Sequence, residues 1–289
     1  MEFNLRPLKE TDIPDVLEIS KTTWDGHDHL PKMIDKWFSE SEQHPFGIEM
    51  ESHIVSIGNL HIIDEGKTGW MEGLRVLEKF RKQGLAKIMT DHLVKVAQER
   101  NIPRIRFVTA SVSEAPIKLA QSIDMKEITR FGLFWKEHLD QIDWSHNSIS
   151  FSETSAADFS KALIDCSPMI PENALICHWD VYDATEANVK EIGKQASFWI
   201  GTEKEEIQSL SLGIMLEAQH GKEWCFSIYA NDLDSFKSTL SFHLNLAREY
   251  DCFSIVCIRG NQFKNLDEEI EWLKTIDFGF DLILFERRL

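Results

Sequence analysis

The chain has 289 residues, more than one ordinary domain needs and enough for two, each able to bury a core. Its formal charge of −17 repels a phosphate backbone over most of the surface, so nucleic acid is not an expected partner, and no run of about 18 apolar residues could span a bilayer. The opening MEFNLRPLKETD carries no basic and apolar leader pattern, and five cysteines, odd in number and without a C-x-x-C pair, read as reduced thiols in a cytoplasmic protein that avoids membranes.

FNLRPL alternates apolar and polar residues and predicts a short strand, and KETDIPDVLEI predicts a helix capped near Thr11 or Asp12. TWDGHDHLPKMIDKWF begins as a loop and turns helical at Met33, Ile34, Trp37 and Phe38. FGIEME, HIVSIGNLHII and WMEGLRVL predict three adjacent strands of an antiparallel meander. Leu85, Ile88, Met89, Leu93, Val96 and Ala97 recur at helical spacing until Asn101 and Pro103, RIRFVTAS is another strand, residues 114–123 a short helix, and FGLFWKE a closing strand.

DQIDWSHNSISFSETSAAD is polar and serine-rich and is expected to link two halves, with the boundary near residue 147. Beyond it WCFSIYA, LDSFKSTLSFHLNLAREY, CFSIVCI, NLDEEIEWLKTI and FDLILFERRL predict strand, helix, strand, helix, strand. That order repeats the end of the first half and points to an internal duplication.

The segment EKFRKQGLAKIM, residues 78–89, stands out in so acidic a chain. A strand, a glycine turn and an amphipathic helix bring unpaired backbone N–H groups and the positive end of a helix dipole to one point, which suits phosphate. Gly84 lets the backbone approach an anion, Ala86 stays small, and Arg81, Lys82 and Lys87 add charge. The P-loop and the dinucleotide fingerprint are both absent.

In its context of LRPLKETD and WMEGLRVLEKF, the run Arg81-Lys82-Gln83-Gly84-Leu85-Ala86 resembles the R/Q-x-x-G-x-G/A turn of the GNAT superfamily of acyl-CoA-dependent N-acyltransferases, over residues 3–137. WDGHDHLP, DKWF and EGLRV look like the histidine N-acetyltransferase branch, which carries a second, diverged GNAT-type half. The resemblance implies a mixed α/β sheet flanked by helices in residues 1–146 and a degenerate copy in 147–289. It also implies acetyl-CoA as cosubstrate and a small-molecule amine, such as an amino acid, as acceptor; the acidic field suits a zwitterion. The family pattern assigns the CoA diphosphate to Arg81, Lys82, Gln83, Gly84, Leu85 and Ala86, and the pantetheine arm to the strand ending at Val76 and Leu77. Ser113 stands where many members have a cofactor-side asparagine. Trp24, Asp28 and His29 border the acceptor pocket of the resembled branch.

Departures from that pattern are Ser113, Ala120 in place of a tyrosine acid, and no tyrosine before Tyr182. Amine attack needs a base, and Glu72 is the candidate: alternation along the strand sets it on the face of Val76. His27 and His29 lack a third ligand, so no metal is expected. Asn231, Asp232 and Asp234 replace the basic turn in the second half, which is expected to have lost the cofactor and to serve as a structural partner, either closing one wall of the acceptor site or acting as a simple scaffold. A non-catalytic acyl-CoA sensor and a protein or peptide N-acetyltransferase are the alternatives. The oligomeric state is expected to be monomer or homodimer.

Overall fold

The structure, a computed structural model, describes residues 2–21, 23, 28, 30–218, 220–260, 262–263 and 266–289. Two compact units emerge, and they interleave along the chain. The first comprises residues 1–107, 118–126 and 285–289, the second residues 108–117 and 127–284.

In the first unit β1 (Asn4–Pro7) leads to α1 (Ile13–Ser20) and α2 (Leu30–Ser39), then to the meander β2 (Gln43–Met50), β3 (His53–Ile63) and β4 (Thr68–Val76). The long helix α3 (Leu85–Glu99) crosses to β5 (Arg104–Ala110), followed by α4 (Glu114–Ser122); the sheet order is β1-β2-β3-β4-β5, antiparallel up to β4 and parallel from β4 to β5. One face packs Val16, Ile19, Ile34 and Trp37 of the first two helices against Leu8, Ile54 and Ile57. The other receives α3, whose Met89 lies so close to Gly58 that a Cβ there would sit 2.8 Å from its side chain.

Residues 285–289 complete this unit. Phe285 stacks on Phe107 at 5.5 Å, the Leu289 N–H donates to the Pro103 carbonyl at 2.9 Å, and Glu286 accepts from Arg106 Nε at 2.7 Å.

The second unit repeats the plan: β6 (Lys126–Glu137) precedes β7 (Ser150–Thr154), α5 (Ala156–Asp165), the hairpin β8 (Ala174–Cys177) and β9 (Asp180–Asp183), and α6 (Glu186–Ile192). Then come β10 (Ser197–Glu203), β11 (Glu206–Ala218), β12 (Gly221–Ala230), α7 (Leu233–Glu249), β13 (Ser254–Gly260), α8 (Leu266–Glu269) and β14 (Phe278–Arg288). Within it the strands order as β14-β6-β13-β12-β11-β10-β7, over a core that includes Phe226, Phe236, Leu240 and Leu244.

Two expectations change here. The polar stretch 140–158 is not only a link, because Phe151 to Thr154 pair with Phe198 to Gly201 and Ser155 caps α5 through its Oγ. The helix expected over NLDEEIEWLKTI is broken at Ile270, whose φ of −129° and ψ of 96° are extended and whose side chain is fully buried in the core of this unit.

Candidate functional site

Strand β4 does not alternate regularly. Its register to β3 runs Asn59↔Glu72, then shifts to Ile57↔Arg75 and Ser56↔Val76, so one extra residue is accommodated around Gly73 and Leu74. Gly73 makes this possible with φ of +65°, and a Cβ there would sit 2.3 Å from the Trp37 ring. The bulge reverses the expected facing. Cross-strand partners share a face, so Glu72 and Arg75 stand with Asn59 and Ile57 toward α1 and α2, and Val76 stands with Ser56 on the opposite side. Glu72 and Val76 are thus on opposite faces.

The same strand parts from β5 early. Parallel pairing covers Thr68↔Arg104, Gly69↔Ile105 and Trp70↔Arg106 and ends there, which leaves the edge of β4 from Met71 to Val76 without a β5 partner among the described residues. Such an edge offers peptide N–H and C=O groups to an extended ligand.

That edge leads into the basic turn. The Leu77 N–H donates to the Val55 carbonyl at 2.8 Å, a short 3-10 turn covers Glu78–Phe80, and Arg81 returns its Nε–H to the Val76 carbonyl at 3.1 Å. Lys82 has φ of +62° and Gly84 φ of +83°, a left-handed pair that swings the chain into α3. Arg81, Lys82, Gln83 and Gly84 are exposed, Ala86 is half-buried, and Leu85 is buried as the anchor. Nothing lies within 4 Å of a Cβ at Gly84, so its conformation rather than crowding calls for glycine, and the helix start has no side-chain cap. First-turn N–H groups and the dipole of a 15-residue helix therefore meet open space beside two cations.

Glu72 is gripped from two directions. Trp37 Nε1–H and Asn59 Nδ2–H both donate to its Oε1, at 2.9 and 2.8 Å, and Asn59, fully buried, also donates to Gln43 Oε1 at 2.5 Å. The indole that fills the space above Gly73 thus also orients the carboxylate.

The GNAT acetyltransferase family matches residues 13–122, and the histidine N-acetyltransferase C-terminal family matches residues 152–257. The chain thus carries a GNAT acetyltransferase domain followed by a histidine N-acetyltransferase C-terminal domain. It is 18% identical over 269 residues to a histidine N-acetyltransferase of Xenopus tropicalis, covering 84% of this chain and 81% of that protein. A histidine N-acetyltransferase of Oreochromis niloticus is 23% identical over 91 residues, 32% of this chain and 27% of that one. In fold, a tandem GNAT protein from the clavulanic acid biosynthesis pathway superposes with a TM-score of 0.65 at 9% identity, covering 99% of this chain and 98% of that one.

Several residues sit otherwise than their order in the sequence suggests. Asp28 is almost fully enclosed, its side chain 2% exposed, and its oxygens bind Arg75 Nε and Nη2 at 3.1 Å each and the Leu30 N–H at 3.1 Å. Burial alone would push its carboxyl up, but the Arg75 hydrogen bonds and charge, with help from Leu30 and the Ser20 hydroxyl, bring it below the ordinary aspartate value. Its carboxylate is therefore engaged within the protein. Trp24 and His29 lie outside the described residues, as does His27. Ser113 belongs to the second unit, where its N–H donates to the Ala110 carbonyl at 2.9 Å, and Ala120 is fully buried in α4 of this GNAT fold.

Trp37, Asn59 and Arg75 were assigned no part in the site by the sequence, where Trp37 and Arg75 figure only within the DKWF and EGLRV motifs. The pairing of β3 with β4 brings Asn59 and Arg75 to the site and the packing of α2 brings Trp37, and the Glu-Gly pair within an alternating strand was the one available signal of a bulge.

The second unit differs at both features. Its β12 and β13 pair without a break from Glu223↔Ser254 to Ile228↔Arg259, so no edge opens between them. The start of α7 is capped by Asp232, whose side chain accepts the Ser235 N–H at 2.8 Å, and Asp234 adds a second negative charge. Among the described residues no helix is long and apolar enough to cross a membrane.

Proposed function

We propose that the chain transfers an acetyl group from acetyl-CoA to the amine of a small molecule, an amino acid such as histidine, by direct attack and without a covalent enzyme intermediate. The observation that carries this reading is the open edge of β4, which begins beside Glu72 and runs into the turn at 81–86. The exposed, uncapped start of α3 and the open space at Gly84 fit a diphosphate. Arg81, Lys82, Gln83, Gly84, Leu85 and Ala86 would hold that group, and the backbone of Val76 and Leu77 would align the pantetheine arm.

When bound, acetyl-CoA supplies the activated acyl carbon. Glu72 accepts the proton that the amine must lose for its lone pair to attack, as the C–N bond forms and the C–S bond breaks. Trp37 and Asn59 fix the orientation of that carboxylate. Ala120 in α4 offers no acid to the departing sulfur, whose proton comes from water, another side chain or the second half. Residues 1–146 and 147–289 are the duplicated halves in this reading, and the closed β12–β13 pair and acidic α7 cap support a cofactor site in the first rather than the second.

The test is product analysis by mass spectrometry with acetyl-CoA and a pool of amino acids and polyamines. Acetylated product is expected, and Glu72→Gln should lower turnover about a hundredfold at neutral pH. Acetyl-CoA binding without product would favour a non-catalytic sensor, the reading that the loss of a tyrosine at position 120 supports.

A further inference from the structure

We propose that Arg75 is the specificity residue of this site and binds the carboxylate of an α-amino acid acceptor while Glu72 faces its amine. The inference rests on the acetyl-transfer reading above. The bulge carries it: without the extra residue at Gly73–Leu74, positions 72 and 75 would face opposite ways, and with it they are successive side chains on one face. Their partners Asn59 and Ile57 lie two residues apart on β3, which spaces the two about 7 Å apart along the strand. An amine and a carboxylate on one α-carbon, each hydrogen-bonded to one of these side chains, span such a distance.

The guanidinium is held ready. Asp28 takes Nε and Nη2, and the Leu74 carbonyl takes Nη1 at 3.0 Å. A guanidinium has five N–H bonds, so the outer edge keeps donors for which no described protein atom serves as acceptor. The side chains differ in access as a binding role requires: Asp28 is 2% exposed and Arg75 25%. Asp28 thus acts as a positioning residue that fixes the fork, and the planar fork suits a carboxylate better than a point charge does.

The test compares each of the twenty L-amino acids with its own α-amide as acceptor, following CoA release by the full chain with acetyl-CoA. The wild type is expected to prefer the acid form by about 10- to 100-fold in kcat/KM, the range of a lost charge-assisted contact. Arg75→Gln should raise KM for the acid with kcat little changed and bring acid and amide to parity, and Arg75→Lys should restore part of the preference. A purely structural loss would lower acid and amide alike, and that result would overturn the assignment. Equal use of acid and amide by the wild type, or a preference for polyamines, would also overturn it while leaving acetyl transfer intact. CoA release from no acceptor would instead remove the acetyl-transfer reading and this inference with it.

Discussion

Trp37 donates its indole N–H to Glu72 at 2.9 Å and at the same time lays its ring where a side chain on Gly73 would be. One residue therefore supports the bulge and aims the carboxylate. Trp37→Phe keeps most of the ring and removes the donor, so it should fold, lower kcat about tenfold, and shift the pH profile of kcat. Trp37→Ala removes a side chain only 2% exposed and should cost about 3–5 kcal/mol in denaturant unfolding. A Phe variant with an unchanged pH profile would separate Trp37 from the chemistry.

Gly73 and Gly84 both have positive φ, but their surroundings differ. Gly73→Ala combines left-handed strain with a 2.3 Å clash and should cost more than the roughly 1–2 kcal/mol of the strain alone. Gly84→Ala meets open space, so its stability loss should stay near that strain, while acetyl-CoA affinity measured by calorimetry should fall about tenfold. Equal thermal shifts for the two variants would contradict this account.

Glu286 anchors residues 285–289 to β5 through Arg106, whose side chain is 5% exposed; Arg104 and Asp64 extend the same cluster. Glu286→Ala removes the 2.7 Å partner of Arg106 while Asp64 stays at 3.9 Å, and should destabilise the first unit by about 1–3 kcal/mol. A fragment of residues 1–146 lacks this strand and should give poorly dispersed amide spectra. A well-dispersed fragment would show that the first half closes its own sheet.

His243 is fully buried in the second unit, stacked on Phe226 at 4.4 Å, with Nδ1 accepting from Trp224 Nε1 at 3.2 Å. Burial lowers its pKa to about 3. In the unfolded chain it titrates at its ordinary value of about 6.5, so below that pH the unfolded state binds a proton that the folded state does not. Stability is therefore lost as pH falls from 6.5 toward 3, by up to about 1.4 kcal/mol per pH unit. His243→Phe removes this term, and its stability relative to wild type should rise steadily between pH 6.5 and 5. A constant difference would refute it.

The basic turn was legible because its signal is local: Gly84 must take a left-handed φ, and α3 must start beyond it, whatever surrounds them. Glu72 was legible as a candidate but not its direction, since alternation assumes an unbroken ladder and the bulge at Gly73 breaks it. The link near residue 147 read as polar chain because β7 is an exposed edge strand with little apolar alternation.

Periodicity along the chain and the backbone needs of single glycines determined the strands and helices of the first half, the repeat of its closing order in the second, and the glycine turn at residues 81–86. The tertiary structure alone decided that Arg75 joins Glu72, that Asp28 is spent on Arg75, and that residues 285–289 close the first unit. The physical reason is range: φ preferences and side-chain periods act over a few residues, whereas strand register and ion pairs join positions 47 or 180 apart that no local pattern connects.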